Sequence, residues 1–302
     1  MRLHFRNFVS AFVLACVAPS VSAQPPAASD DEIVVEGVRE RQRQIQRFVD
    51  ALTDAPVGGQ IARFDWEVCP VAVGLTEAQN AEITARMRRI ASASGVPLAR
   101  AGCRGNAVLI ATPDKARTLR WMREEYPHHF RDALGHRVPL IDEDGPATAW
   151  QVEGRLDQDG QMVGAETGAR DSSTANHYVI KASRDPSRLT PQTRPHFMGS
   201  FLVVQTDALR GLSTVQVADY AAMRLFARTQ PSRLARSGAP TILNVIDAPM
   251  NAAVPLSLTQ WDLGFLRALY GSTENQYATR QRGQMRRLLR SDLEEAQDGR
   301  DE

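Results

Sequence analysis

Asn106-Ala107-Val108-Leu109-Ile110-Ala111, with Pro113-Asp114 close behind, is the stretch from which the fold class of this chain follows. A short apolar run bounded by polar and turn-forming residues reads as a buried strand. Pro113-Asp114 then starts a helix bearing Ala116, Leu119, Trp121, Met122 and Tyr126. Upstream, Thr76-Glu77-Ala78-Gln79 has the form of a capping box, in which the hydroxyl and the glutamine side chain satisfy backbone donors of the first turn. The helix it opens carries Ile83, Met87, Ile90 and Ser94 on one face and stops at Gly95. Residues 61–69 alternate in the manner of a strand, and residues 38–52 read as a helix with Val38, Gln42, Ile45, Val49 and Leu52 in one stripe. Pro56 and Gly58-Gly59 end that helix. The order strand, helix, strand, helix makes residues 38–130 a β-α-β-α unit.

Beyond it, residues 131–196 form an irregular region. It holds a hairpin over 152–163 turning at Asp157-Gln158-Asp159-Gly160, a polar loop over 165–176 and a brief strand over 178–181. Residues 197–293 form a strand-plus-helix region, beginning with the strand 197–205. Ser213-Thr214-Val215-Gln216 and Thr259-Gln260-Trp261-Asp262 cap two helices, packed through Val217, Tyr220, Ala221 and Leu225 and through Leu263, Leu266 and Leu269. Residues 241–246 are either a strand or a packed loop, an Arg-rich helix spans 274–293, and 294–302 is a disordered tail. The fold class is α/β of the mixed α+β kind.

At 302 residues, with 43% apolar and 24% charged residues, the chain has the composition of a soluble globular protein. A net charge of +1 gives no electrostatic basis for binding nucleic acid or an anionic membrane. The first 23 residues carry Arg2 and Arg6, an apolar run and the small-x-small exit Val21-Ser22-Ala23. This is the pattern of a secretory signal peptide, cleaved after Ala23. Its apolar run is too short to span a bilayer, which needs ~20 residues. No later stretch reaches that length, so the mature chain is expected to lack a transmembrane segment. Processing at Val13-Leu14-Ala15-Cys16 with acylation of Cys16 is the alternative; bulky Leu14 stands where a small residue is usual. Residues 24–37 make a flexible tail.

Export changes the meaning of the two remaining cysteines. In an oxidising compartment Cys69 and Cys103 read as one structural disulfide, joining the end of the first strand to the entrance of the second.

No His-Glu-x-x-His, Gly-x-Ser-x-Gly, Ser-x-x-Lys, phosphate loop or dinucleotide fingerprint is present, and no cofactor or metal is implied. Asp142-Glu143-Asp144-Gly145 and Asp157-Gln158-Asp159-Gly160 each hold a fragment of a calcium loop, but turn formation accounts for both. The candidate catalytic residues are Asp219 and Tyr220, beside Arg224, together with His177 and His196. Asp262, beside Trp261 and Arg267, is a similar carboxylate, and His128, His129 and His136 are further metal-ligand types scattered through the chain.

Asp31-Glu32-Ile33-Val34-Val35-Glu36-Gly37 resembles the TonB box, the extended segment with which TonB-dependent outer-membrane receptors pair with TonB. The resemblance implies partner binding through Ile33, Val34 and Val35. The rest of the chain departs from those receptors, being too short and too helical for their barrel. Over most of residues 61–270 the chain resembles uncharacterised secreted and periplasmic proteins of sphingomonad-type alphaproteobacteria. The carrying segments are Val68-Cys69-Pro70, Gly102-Cys103-Arg104-Gly105-Asn106, Val217-Ala218-Asp219-Tyr220-Ala221-Ala222-Met223-Arg224 and Leu258-Thr259-Gln260-Trp261-Asp262. That resemblance implies a Gram-negative periplasmic or exported protein and brings no activity with it.

Export without catalytic motifs leads to the expectation of a non-enzymatic periplasmic or cell-envelope protein that binds another protein or a surface component. The alternatives are an exported hydrolase using Asp219, Tyr220 and the histidines, and a TonB-coupled accessory protein using residues 31–37.

Overall fold

The computed structural model describes residues 30–53, 55, 58–163, 166–167, 178–179, 190–249 and 252–301. Residues 1–29, with Cys16 and the expected cleavage site at Ala23, together with His177 and most of the 165–176 loop, lie outside the described residues. The chain divides into two units, Met1–Arg39 and Glu40–Glu302.

The elements in chain order are α1 (Asp30–Leu52), β1 (Pro70–Val73), α2 (Glu77–Ser94), β2 (Ala107–Thr112), α3 (Lys115–Glu125), β3 (Ala147–Asp157), β4 (Glu166–Thr167), β5 (Tyr178–Val179), β6 (Thr193–Gln205), α4 (Thr214–Phe226), α5 (Gln260–Gly271) and α6 (Ala278–Asp301). A mixed α/β architecture results, with a four-stranded sheet in the order β1-β2-β6-β3. β1, β2 and β6 are parallel, and β3 lies antiparallel on β6, with Ala149 opposite Leu202. Both faces of β2 are covered, which is why its sequence is continuously apolar. Ala107 and Leu109 join the larger core, while Val108 and Ile110 pack against the smaller one.

The larger core packs Phe48 of α1, Ile83 and Met87 of α2, Leu225 and Phe226 of α4, Phe265 of α5 and Leu289 of α6 over one face of the sheet. On the other face α3, a 3-10 helix, Pro127–Phe130, and Val138 and Leu140 pack against Trp150, Val152, Phe201 and Val203. Capping boxes at Thr76/Gln79, Ser213/Gln216 and Thr259/Asp262 start α2, α4 and α5 as expected, and Gly95 ends α2 in the left-handed conformation with φ 76°.

Several expectations are corrected. Residues 61–69 are not a strand; β1 starts at Pro70. Their apolar content reflects burial of a loop held by side chains. Arg63 donates to the carbonyls of Leu269 at 2.6 Å and Ser272 at 2.9 Å, where α5 ends. Cys69 and Cys103 do form a disulfide, with Cα atoms 5.9 Å apart. With β1 displaced, that disulfide joins the entrances of β1 and β2, which lie side by side because the strands are parallel.

Residues 31–37 belong to α1, so the β-prone run is helical. Helix extension outweighs the few tenths of a kcal/mol by which Ile and Val disfavour it. The predicted tail 294–302 is helical to Asp301. A Ser291–Glu295 side-chain hydrogen bond of 3.2 Å spans one turn of that end.

The turn at Asp157–Gly160 is present, with the Gly160 amide donating to Asp157 O at 3.2 Å. The strand it follows starts earlier than expected, at Ala147, and pairs mainly with β6. Residues 241–246 contain a 3-10 turn, Ile242–Asn244, with Ile242 and Leu243 buried. Leu119 and Met122 of α3 are buried, whereas Trp121 and Tyr126 are exposed.

Candidate functional site

Among the described residues singled out for chemistry, Asp219, Tyr220 and His196 each hold separate partners. Asp219 is wholly buried on α4, where it accepts from Arg86 Nε at 2.7 Å and Nη2 at 3.0 Å and from the Leu258 amide. This bidentate fork fastens α2, α4 and the segment entering α5. Tyr220 turns away from it: its hydroxyl accepts from Arg224 Nη1 at 2.8 Å, and burial pushes the phenol up to about 12. Asp262 is likewise structural, taking hydrogen bonds from the Thr241 and Thr259 hydroxyls and the Ile242 and Thr259 amides.

His196 lies on β6, 1% exposed, beneath the Trp66 ring. Its Nδ1 accepts from the Asp65 amide at 3.1 Å, which places the ring proton on Nε2 of a neutral imidazole. Burial lowers its pKa to about 4, the Asp65 carboxylate opposing the shift and Arg194 adding to it. Around it Asp65 pairs with Arg63 at 3.2 Å and Arg194 at 3.1 Å, while Glu274 joins both guanidiniums at 3.2 Å.

The unfolded chain protonates His196 near pH 6.5, whereas the folded chain does so near 4. The unfolded state therefore holds more protons between these values, and stability is lost as pH falls through that window, by about 3 kcal/mol in total. His196→Asn retains an acceptor for the Asp65 amide. It should flatten the pH dependence of the urea midpoint between pH 4 and 6.5; an unchanged slope would assign acid sensitivity elsewhere.

Two open cavities share Leu140 and Glu143 in their walls. One, of about 440 Å³, is rimmed by Arg123, Arg131 and Arg137 over Phe130, Val138 and Leu140. The other, of about 670 Å³, is lined by Asp142, Asp144, Tyr220, Arg224, Asn244 and Asp247 among others.

The second is built on the turn Asp142-Glu143-Asp144-Gly145. The Gly145 amide donates to Asp142 O at 3.1 Å, and Asp142 itself adopts φ 59°, a conformation that non-glycine residues seldom take. Lys115 supports the turn from beneath, donating to the carbonyls of Glu143 and Gly145 and to Thr148 Oγ1 at 2.8 Å. Arg224, 1% exposed, pairs with Asp142 Oδ2 at 3.0 Å. The Asp247 carboxyl is raised by burial and by Asp142, with Arg224 opposing. Two carboxyl groups and a buried guanidinium thus face one cavity, a grouping of the kind used in acid–base chemistry.

Asp142 and Arg224 were visible in the sequence as a turn residue and a helix partner. Asp247 was not, because nothing around it in the chain marks an isolated aspartate. Among the described residues, no group of three or more His, Cys, Asp or Glu side chains is placed to hold a metal ion.

Comparison with protein-family models, curated proteins and solved structures finds no match. The two cavities and the engaged side chains therefore carry the functional reading.

Proposed function

We propose that the chain is an exported protein of the periplasm or cell envelope that binds a partner rather than transforming a substrate. The observation that carries this reading is the engagement of Asp219 and His196, each of which fastens separate parts of the fold through its own polar atoms. The disulfide supports export, since such bonds persist in oxidising compartments. So does the cationic and apolar start of the chain. Among the described residues no helix is long and apolar enough to cross a membrane.

Incubation of the mature protein with an envelope extract, followed by mass analysis of both, tests the reading. Retention of a component with the extract otherwise unchanged is expected; a new product would overturn it. The same spectra give the N-terminus, expected at Gln24 rather than at an acylated Cys16.

A hydrolase remains the second reading, favoured by the Asp142–Asp247 arrangement beside Arg224 rather than by the residues chosen from sequence. If a product appears, Asp247→Asn is expected to reduce its formation by 100-fold or more with the fold intact, as loss of a general acid does.

A further inference from the structure

The smaller cavity places two arginines in an arrangement that is unfavourable without a counter-charge. Arg131 and Arg137 are opposite each other in an antiparallel bridge. The flanking amide bonds, Asp132 to His136 O at 2.8 Å and Val138 to Phe130 O at 3.0 Å, make this a non-hydrogen-bonded pair. In such pairs the side chains emerge from one face at their closest approach, and like charges so placed repel.

The nearby carboxylates are already committed. Asp132 accepts from the amides of Leu134 and His136 and pairs with the His136 ring, and Glu143 pairs with Arg123 at 2.6 Å. Arg131 donates to the Gly135 carbonyl at 2.7 Å, and among the described residues no carboxylate forms an ion pair with it. Both guanidiniums line the cavity, whose lining holds three arginines against the one carboxylate of Glu143. Its floor is apolar: Phe130, Val138 and Leu140 continue the smaller core, and Arg123 lies over the Phe130 ring at 5.7 Å. At about 440 Å³ the space is that of a small-molecule site.

We infer that this cavity binds a small ligand with an anionic oxygen group, carboxylate or phosphate, carried on an apolar body. The anion sits between Arg131 and Arg137, whose forked donors match its oxygens. The apolar body covers Phe130, Val138 and Leu140. This deepens the binding reading above and rests on it.

Calorimetric titration of the full mature chain with phenyl phosphate, benzoate, benzyl alcohol and inorganic phosphate tests the site. Phenyl phosphate or benzoate is expected to bind at least 10-fold more tightly than benzyl alcohol, and the tighter of the two identifies the anion. Arg137→Glu is expected to weaken that binding 10-fold or more while the melting temperature stays at or above that of the parent, because the like-charge pair is gone. Equal binding of benzyl alcohol, equal binding of inorganic phosphate, an unaffected Arg137→Glu variant, or no binding of any probe would each overturn the site. Phenol release that depends on Arg137 would instead leave the site standing and overturn the binding-only reading.

Discussion

Arg86→Leu is expected to lower the unfolding free energy by about 3–5 kcal/mol. The substitution removes the guanidinium from Asp219, a carboxylate with no exposed surface, and leaves a buried charge with only the Leu258 amide and no counter-ion. Asp219→Ala should cost less, about 1–3 kcal/mol, because the Arg86 side chain is 27% exposed and its charge can turn to water.

A buried carboxylate without its partner is penalised only while it is charged, so the added loss is expected to shrink on acidification. Urea unfolding of both variants at pH 5 and pH 8 separates these effects. A pH-independent loss in Arg86→Leu, or a larger loss in Asp219→Ala, would show that packing rather than charge holds α2 to α4.

Reduction of Cys69–Cys103 should cost about 4 kcal/mol, the chain-entropy value for a loop of this size. The bridge has a sequence separation of 34 and encloses the whole of α2. For a chain of this length the melting temperature would fall by roughly 7 °C. The Cys69→Ala/Cys103→Ala double variant should melt with the reduced parent and be indifferent to dithiothreitol. A double variant melting within 2 °C of the oxidised parent would mean that sheet and helix packing already restrict this loop in the unfolded chain.

Structure encoded by neighbouring residues was legible, because its physics is local. Thr76/Gln79, Ser213/Gln216 and Thr259/Asp262 announce their helices within four residues, and the strands around 107–111 and 197–205 are apolar enough to permit no exposed alternative. Legibility failed where distant parts of the chain decide the outcome. Residues 61–69 look like a strand because they are buried, yet carbonyls at the end of α5 recruit Arg63 and hold the segment as a loop.

Asp219 stands beside Arg224 in the sequence, but its guanidinium partner is Arg86, 133 positions away. The cavities depend on the same kind of remote placement. Asp247 meets Asp142 and Arg224 only after α4 has packed beside β3. The opposed arginines become visible only once the register of 131 against 137 is known.

The strand order has a consequence for how the chain must be made. β2 is complete at Thr112, but the neighbour that fills its other edge, β6, does not begin until Thr193, and β3 requires the same late strand. One of the two inner strands, β6, is therefore the last strand of the sheet to emerge. At ordinary synthesis rates β2 waits roughly 4–16 s with one row of amides and carbonyls unpaired. An apolar strand with an open edge is a template for association with other chains. The nascent protein should be most prone to aggregate in this interval, and a chaperone acting on it would have most to protect between the appearance of Thr112 and that of Gln205.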